Sequence, residues 1–245
     1  MSELGEITLP DISQEQIEEV IRLGEIIVEG RFVDASNATL FAYARHQEIN
    51  VPVIYKPIAG ERPLWDFPDG NLASREVAAY LLAKKIGLSL VPYTILRDGP
   101  FGVGSVQQWV AVDDQVDVVD FVQSSPPTLR TLTLFDAMIN NTDRKFGHIL
   151  IDSSGSVYGC DHGVCFHADN KLRTVLWNWS GDTFTPSERE LLDSALLACD
   201  EIGDLPALLT GEEILALKQR ISTLIENGKF PEPSLDWPAV PFPPY

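Results

Sequence analysis

Two short stretches near the middle of the chain carry the residue types that phosphoryl transfer requires. The first, residues 140–148, combines an acid, two cations and a possible metal ligand. These residues are Asp143, Arg144, Lys145 and His148. A second acid, Asp161, lies thirteen positions after His148 and is followed by His162 and Gly163. In phosphoryl transfer one carboxylate orients or deprotonates the attacking hydroxyl, and another holds the metal ion that bridges the nucleotide phosphates.

The segment between these two stretches is predicted to form a β-hairpin. Residues 148–152 and 157–160 have the character of short strands, and the polar residues 153–156 between them include a glycine. Because the two acids flank this hairpin, we expect Asp143 and Asp161 to lie at the same end of a small sheet.

A lysine and a glutamate earlier in the chain can complete such a site. Lys56 lies near the end of the apolar, β-branched segment 51–57, and Glu76 lies early in a predicted helix over residues 73–86 that Gly87 stops. Lys56 is either a phosphate ligand or a charge on an edge strand that faces water. Glu76 is either the ion-pair partner that fixes this lysine or a solvated acid favoured by the helix dipole.

The N-terminal part of the chain is predicted to form an antiparallel sheet with one inserted helix. A capping box at Ser13 opens an amphipathic helix that continues to about Leu23. Five segments then have strand character, and polar turns over residues 34–37 and 97–100 separate two pairs of them. The five segments are residues 24–33, 38–44, 51–57, 91–96 and 104–112.

The C-terminal part is predicted to be mainly helical. Residues 128–141 form a helix that leads directly into the Asp143 loop. Capping boxes at Thr185 and Thr210 open two more helices, which end near Cys199 and Gly228.

The predicted fold class is therefore α+β. We expect an N-lobe over residues 1–110, a C-lobe over residues 111–230 and a proline-rich tail over residues 231–245. The tail contains six prolines. Such a segment cannot form a helix, so it either drapes over the surface or is mobile.

Two further segments are candidates for nucleotide binding. The hairpin over residues 24–44 can close over phosphates through backbone N–H groups at its turn, where Ser36 and Asn37 lie. It lacks a Gly-x-Gly-x-x-Gly pattern. The connector between the lobes can offer its backbone to the edge of an adenine. The connector residues are Gln107, Gln108, Trp109 and Val110.

The sequence contains residues of two other kinds of site. A zinc site is one alternative, because Cys160, His162, Cys165 and His167 lie within eight positions. Their spacing is not that of a Cys-x-x-Cys knuckle, and the chain offers no second Cys/His pair. A serine hydrolase is the other alternative, but the sequence contains no Gly-x-Ser-x-Gly nucleophile elbow.

Composition and charge exclude several partners. The chain has 245 residues, three cysteines and a net charge of −18. We expect no transmembrane helix, because no run of 18 apolar residues exists, and no signal peptide at the acidic N-terminus. The few cysteines suit the reducing cytoplasm. Neither nucleic acid nor an anionic membrane is expected as a stable partner, because both bind through basic side chains.

The order of these residues resembles the phosphatidylinositol 3-/4-kinase-like group of small bacterial proteins and, more distantly, the HipA-type kinases. The resemblance covers roughly residues 24–200. The lipid-kinase pattern is Asp-Arg-His-x-x-Asn followed by Asp-x-Gly. This chain has Lys145 in place of the histidine and His148 in place of the asparagine.

This resemblance implies a protein-kinase-like, two-lobed fold and ATP-dependent phosphoryl transfer. It assigns the catalytic-loop acid to Asp143, the α/β-phosphate ligand to Lys56, its partner to Glu76 and the metal carboxylate to Asp161. With His148 as the second ligand, the expected metal is Mg²⁺ or Mn²⁺, since imidazole favours metals softer than magnesium. Arg144 and Lys145 are expected to neutralise phosphate.

The expected acceptor is a hydroxyl of a soluble small molecule or of a protein. A lipid acceptor is not expected, because the chain has no polybasic stretch that could approach an anionic membrane. Transfer of an adenylyl group instead of a phosphoryl group stays open. A pseudokinase that binds nucleotide or a partner protein without turnover is the alternative function, motivated by His148 at the metal position.

Overall fold

The N-terminal half of the protein is a five-stranded antiparallel sheet. The structure is a computed structural model that describes residues 7, 9–32 and 37–245. The strands are β1 (Glu25–Arg31), β2 (Leu40–His46), β3 (Ile49–Pro57), β4 (Thr94–Gly99) and β5 (Gly102–Gln108), in the order β1-β2-β3-β5-β4. Lys56 lies on the central strand, because β3 pairs with β2 on one side and with β5 on the other.

The two faces of this sheet have different surroundings. One face packs on helix α1 (Gln14–Leu23), and β3 contributes the buried residues Val51, Val53 and Tyr55 to that core. Side chains alternate along a strand. Lys56 therefore points from the opposite face, towards the C-terminal half of the molecule.

Helix α2 (Leu72–Lys85) connects the two halves. Most of its residues are buried, and Asn71 caps its first turn by accepting the N–H of Ser74. Its Arg75 forms a buried ion pair, 2.6 Å long, with Glu213 of the C-terminal half. The predicted helix over residues 73–86 is confirmed, and Glu76 falls in its second turn.

The C-terminal half is built mainly from helices. They are α3 (Val118–Gln123), α4 (Pro127–Ile139), α5 (Pro186–Glu201), α6 (Leu205–Leu208) and α7 (Gly211–Asn227), and a hairpin of β6 (Ile149–Ile151) and β7 (Val157–Gly159) lies among them. The hairpin and the capping boxes at Thr185 and Thr210 are present as predicted. The predicted α+β arrangement, with an N-terminal antiparallel sheet and a mainly helical C-terminal half, is confirmed.

The predicted turn over residues 97–100 is wrong. Arg97 pairs with Gly104, and Gly99 pairs with Gly102, so β4 continues through most of the predicted turn. The chain reverses at Pro100 and Phe101 instead. Pro100 ends the ladder because it has no N–H to donate, and Gly102 supplies the positive φ of 91° that starts β5. Residues 34–36 of the other predicted turn lie outside the described residues.

The tail over residues 231–245 lies on the surface of the C-terminal half. The carbonyl of Ala239 accepts hydrogen bonds from the N–H of Thr174 and from the indole of Trp177. The carbonyl of Pro244 accepts the N–H of Phe146 at 2.9 Å. Of the two predicted states of the tail, the structure shows the one that drapes over the surface.

In the described part of the chain, every helix is too short or too polar to cross a membrane.

Candidate active site

Lys56 is the point at which the two halves of the molecule meet in an ion-pair network. Its ammonium bonds to the carboxylate of Glu76 on α2 and, at 2.8 Å, to Oδ1 of Asp161 in the loop after β7. Glu76 is 2% exposed, and its other oxygen accepts the backbone N–H of His162 at 2.9 Å. The alternatives in which Lys56 and Glu76 are solvated surface charges are therefore wrong.

The charges in this network stabilise one another. Burial by itself would lower the pKa of Lys56, but the charges of Asp161 and Glu76 outweigh it, and the net pKa of Lys56 is raised. The ammonium of Lys56 is the main reason that the pKa of Asp161 lies well below its usual range. Burial raises the pKa of Glu76, whereas the bond from Lys56 opposes that shift. Lys56 and Asp161 are therefore both charged at neutral pH.

Asp161 has an unusual backbone that presents its carboxylate to the cleft between the two halves. Its φ of 59° lies in the left-handed region, which non-glycine residues seldom occupy. Its side chain is 49% exposed, so one side of the carboxylate stays open to a ligand. Position 163 is a glycine because a Cβ there would lie only 3.0 Å from the Cβ of Leu72.

His148 contacts both acids of the predicted site. Its Nδ1 lies 3.0 Å from the backbone carbonyl of Asp143, and its Nε2 lies 3.3 Å from Oδ2 of Asp161. Because a carbonyl only accepts, Nδ1 carries the hydrogen of the neutral ring. Burial is the main reason that the pKa of His148 is lowered, so the ring is neutral at pH 7. In that tautomer neither Nε2 nor Oδ2 of Asp161 carries a hydrogen to share across the 3.3 Å between them.

This arrangement fits a divalent cation. A metal-binding histidine usually donates its other N–H to a carbonyl, as His148 does. Two ligands at ~2.1 Å from one ion and at right angles to each other lie about 3 Å apart, close to the observed separation. No group of three or more His, Cys, Asp or Glu side chains suited to a metal occurs among the described residues. Asp161 and His148 would therefore share the ion with phosphate oxygens and water, as is usual for Mg²⁺.

Asp143 lies beside this pair, as the hairpin predicted. Burial raises its pKa, whereas the ammonium of Lys145, 3.3 Å from Oδ2, opposes the shift. Its backbone N–H is held by the side chain of Asn141 at 3.0 Å. A carboxylate with a raised pKa is better matched to proton transfer at neutral pH than an ordinary aspartate.

Arg144 does not contact the cleft, so the prediction that it neutralises phosphate is wrong. Its side chain is fully buried and forms a two-pronged ion pair with Asp136 of α4, at 2.8 and 2.9 Å. The rest of the guanidinium bonds to the carbonyls of His148 and Cys160 and to the ring of His162. Arg144 therefore fixes the two loops that carry the site.

A small cavity surrounds the Lys56 network. Its volume is about 240 Å³, and Lys145, His148 and Asp161 line it together with Lys56. Asn37 also lines the cavity, and its side chain accepts the N–H of Arg62 at 2.8 Å. Because the side chain of Lys145 lines this cavity, it stays available as a phosphate ligand. Ser36 lies outside the described residues.

Two of the connector residues use their backbone N–H groups inside the protein, whereas the adenine contact expected of Val110 stays a prediction. The N–H of Gln108 bonds to the carbonyl of Tyr93, and the N–H of Trp109 bonds to the carbonyl of Pro52. Gln107 is buried, and its amide donates to the hydroxyl of Thr94. Gln108, Trp109 and Val110 line a second cavity, of about 610 Å³, which does not include Lys56.

Phe32 and Trp109 form a half-buried aromatic surface beside the buried ring of Phe41, and the sequence did not predict it. The ring of Trp109 lies 5.3 Å from that of Phe41 and 6.4 Å from that of Phe32. Phe41 lies opposite Ile54 in the β2–β3 register, so it shares the sheet face of Lys56. The alternation of residues 38–44 and 51–57 indicates which side chains share a face within each strand. Only the pairing register shows that Phe41 and Lys56 share the same face of the sheet.

The alternative zinc site is wrong. Among the described residues, no three His, Cys, Asp or Glu side chains are grouped so that they could hold a metal ion. His162 contacts Arg144, whereas His167 contacts the carbonyl of Asp66 and the ammonium of Lys171.

The fold and the site together define an α+β protein with a lysine–carboxylate site between an N-terminal sheet and a helical C-terminal half. The chain is 39% identical to Rv2133c of Mycobacterium tuberculosis over 264 aligned positions, which cover 90% of this chain and 94% of that protein. It belongs to the family of Rv2133c.

Comparison with models of protein families gives no match. Among solved structures, the proinflammatory kinase CtkA of Helicobacter pylori matches with a TM-score of 0.48 and 12% identity. That match covers 85% of this chain and 94% of that one. The resemblance to the phosphatidylinositol 3-/4-kinase-like group stays a prediction.

The contrast between Arg144 and Lys145 gives the first prediction. Arg144→Met leaves Asp136 buried and unpaired, which we expect to lower the free energy of unfolding by about 3–5 kcal/mol. Lys145→Met breaks a more exposed pair and should cost less than about 1 kcal/mol. Urea denaturation of both variants measures this. Equal stability of the two variants would contradict the structural role of Arg144.

Proposed function

We propose that this protein is an ATP-dependent phosphotransferase that acts on a hydroxyl of a soluble small molecule or of a protein. The observation that carries the proposal is the approach of His148 Nε2 to Asp161 Oδ2, at 3.3 Å, beside the charged Lys56. A cation-binding pair next to a fixed ammonium is the arrangement that holds a triphosphate. Burial and ion pairing fix these groups before any ligand arrives, which suits electrostatic catalysis.

Each residue of the site takes one role in this proposal. Asp161 and His148 hold Mg²⁺ or Mn²⁺, which neutralises charge on the phosphate oxygens when it is bound. Lys56 exchanges its bond to Asp161 for the α- and β-phosphates, and Glu76 holds its ammonium in place. Asp143 accepts the proton of the attacking hydroxyl, and Lys145 neutralises charge on the phosphoryl group in transfer.

The base of the nucleotide is assigned to the half-buried rings of Phe32 and Trp109, since Phe41 is buried. Stacking on aromatic rings stabilises a bound base by about 1–3 kcal/mol. The backbone of Val110, which was expected to contact an adenine, stays a candidate for the same base. Asn37 lines the Lys56 cavity, and we assign it to the phosphates. The cleft between an N-lobe over residues 1–110 and a C-lobe over residues 111–230 is then the nucleotide site.

A pseudokinase that binds nucleotide without turnover is the second candidate. Two observations favour it. The metal position is occupied by His148 instead of an asparagine, and the cavity of about 240 Å³ is smaller than the 300–1,000 Å³ typical of ligand pockets. The two candidates differ in whether ADP is released.

The role of Asp143 gives the second prediction. Asp143→Asn keeps the size of the side chain but cannot accept a proton, so ADP release should fall about 10²–10⁴-fold while ATP still binds. Lys85→Met, which removes an exposed charge at the far end of α2, is the matched control and should keep full activity. ADP release is measured with purified protein in Mn²⁺ and in Mg²⁺. Undiminished ADP release by Asp143→Asn would contradict the role of Asp143 as proton acceptor. Binding of ATP without release of ADP in the unmodified protein would favour the pseudokinase.

The pH dependence of turnover gives the third prediction. Asp143 acts as a base only when it is ionised, and its raised pKa means that activity is lost as the pH falls through a value above the ordinary range of an aspartate. His148 binds metal only when it is neutral, and its lowered pKa keeps it neutral to a pH below the ordinary range of a histidine. The rate should therefore be flat around pH 7 and fall on the acid side. A rate that rises as the pH decreases would contradict both roles.

A further inference from the structure

The end of the tail reaches the candidate active site. Tyr245 lines the same cavity as Lys56, His148 and Asp161. Its ring lies 6.2 Å from the ring of Phe146, and a methyl group added at Gly147 would contact it at 3.9 Å. Phe146 and Gly147 belong to the loop of Asp143, so the tail approaches the site from the side of the proposed base.

The tail is held in this path by specific bonds. Ala239 accepts two hydrogen bonds from the C-terminal half, and Pro244 accepts the N–H of Phe146. Further back, the ring of Trp237 covers the ammonium of Lys171 at 4.8 Å. Proline fixes the backbone φ and reduces the conformational entropy lost on binding. The segment therefore presents Tyr245 at low entropic cost.

The chemistry of the cavity walls singles out Tyr245. Among the described residues that line the cavity, two carry a hydroxyl, Thr39 and Tyr245. Thr39 lies just before β2, on the side of the cavity where Lys56 and Asn37 are assigned to the phosphates. Tyr245 lies beside Phe146 and Gly147, in the loop of Asp143. Its side chain is 67% exposed, so packing does not bury the phenol.

The charge of the segment suits an acidic protein. Residues 237–245 contain no charged side chain, whereas the whole chain carries a net charge of −18. An acidic acceptor would be repelled by this surface. A segment without charged side chains meets no such repulsion.

We propose that Tyr245 is a phosphoryl acceptor in cis. This inference rests on the proposed function and selects a protein hydroxyl as the acceptor. In the step, the phenolic oxygen of Tyr245 forms a bond to the γ-phosphorus of ATP. The bond from that phosphorus to the bridging oxygen breaks, and its electron pair leaves with ADP. The phenolic proton passes to Asp143 and then to water.

The test is intact-protein mass spectrometry of the full chain after incubation with ATP and Mn²⁺ or Mg²⁺, followed by peptide mapping. We expect one added phosphoryl group on Tyr245, at a rate per molecule that does not depend on protein concentration. Tyr245→Phe should abolish the modification, whereas Tyr158→Phe, a tyrosine outside this cavity, should leave it unchanged. In the double variant Tyr245→Phe/Phe242→Tyr, a hydroxyl three positions earlier should stay unmodified.

Each other outcome is decisive. ADP release without phosphate on Tyr245 would overturn this inference and leave the proposed function standing. A rate that rises with protein concentration, or modification of the Phe242→Tyr hydroxyl, would overturn the cis assignment. Faster ADP release after removal of residues 240–245, with no modification in the full chain, would show that the tail only obstructs the site. Absence of ATP binding would overturn the proposed function itself.

Discussion

The rest of the site depends on the ion pair and hydrogen bonds of the buried Arg144 guanidinium. A cation removed from water costs several kcal/mol unless it is paired and fully hydrogen-bonded. Arg144 meets that requirement with Asp136 on α4, with two carbonyls from the ends of the hairpin and with His162. The same bonds fix the loop that carries Asp143 and the loop that carries Asp161. The geometry of both acids therefore follows from satisfying one buried charge.

A second network connects this C-terminal assembly to the N-terminal sheet. Lys56 reaches across from β3 and pairs with Glu76 and Asp161, so the cleft has a defined width even without a ligand. Glu76 also accepts the N–H of His162, next to the ring that contacts Arg144. The two networks are therefore continuous. A nucleotide that separated Lys56 from Asp161 would leave the Arg144 network intact, because Arg144 makes no bond to either residue.

Much of this molecule could be predicted from local signals. Capping boxes at Ser13, Thr185 and Thr210 and the polar turn of the β6–β7 hairpin act over a few residues, so they were read correctly. The proximity of Asp143 and Asp161 followed from that hairpin. The role of Arg144 could not be predicted. A cation beside Lys145 is typical of a phosphate ligand, and only the structure shows that Arg144 pairs with Asp136. The aromatic surface and the contact of Tyr245 with the site depend on pairing between distant segments, which no local pattern reports.

The central claim is that Lys56, His148 and Asp161 form a site for a metal-bound nucleotide. The most direct test is calorimetric titration of metal-free protein with ATP in Mg²⁺ and then in Mn²⁺, with Asp161→Asn and the exposed control Asp193→Asn in parallel. We expect binding that requires metal, that is lost in Asp161→Asn and that is unchanged in Asp193→Asn. Absence of binding in both metals, or equal binding by Asp161→Asn, would contradict the account.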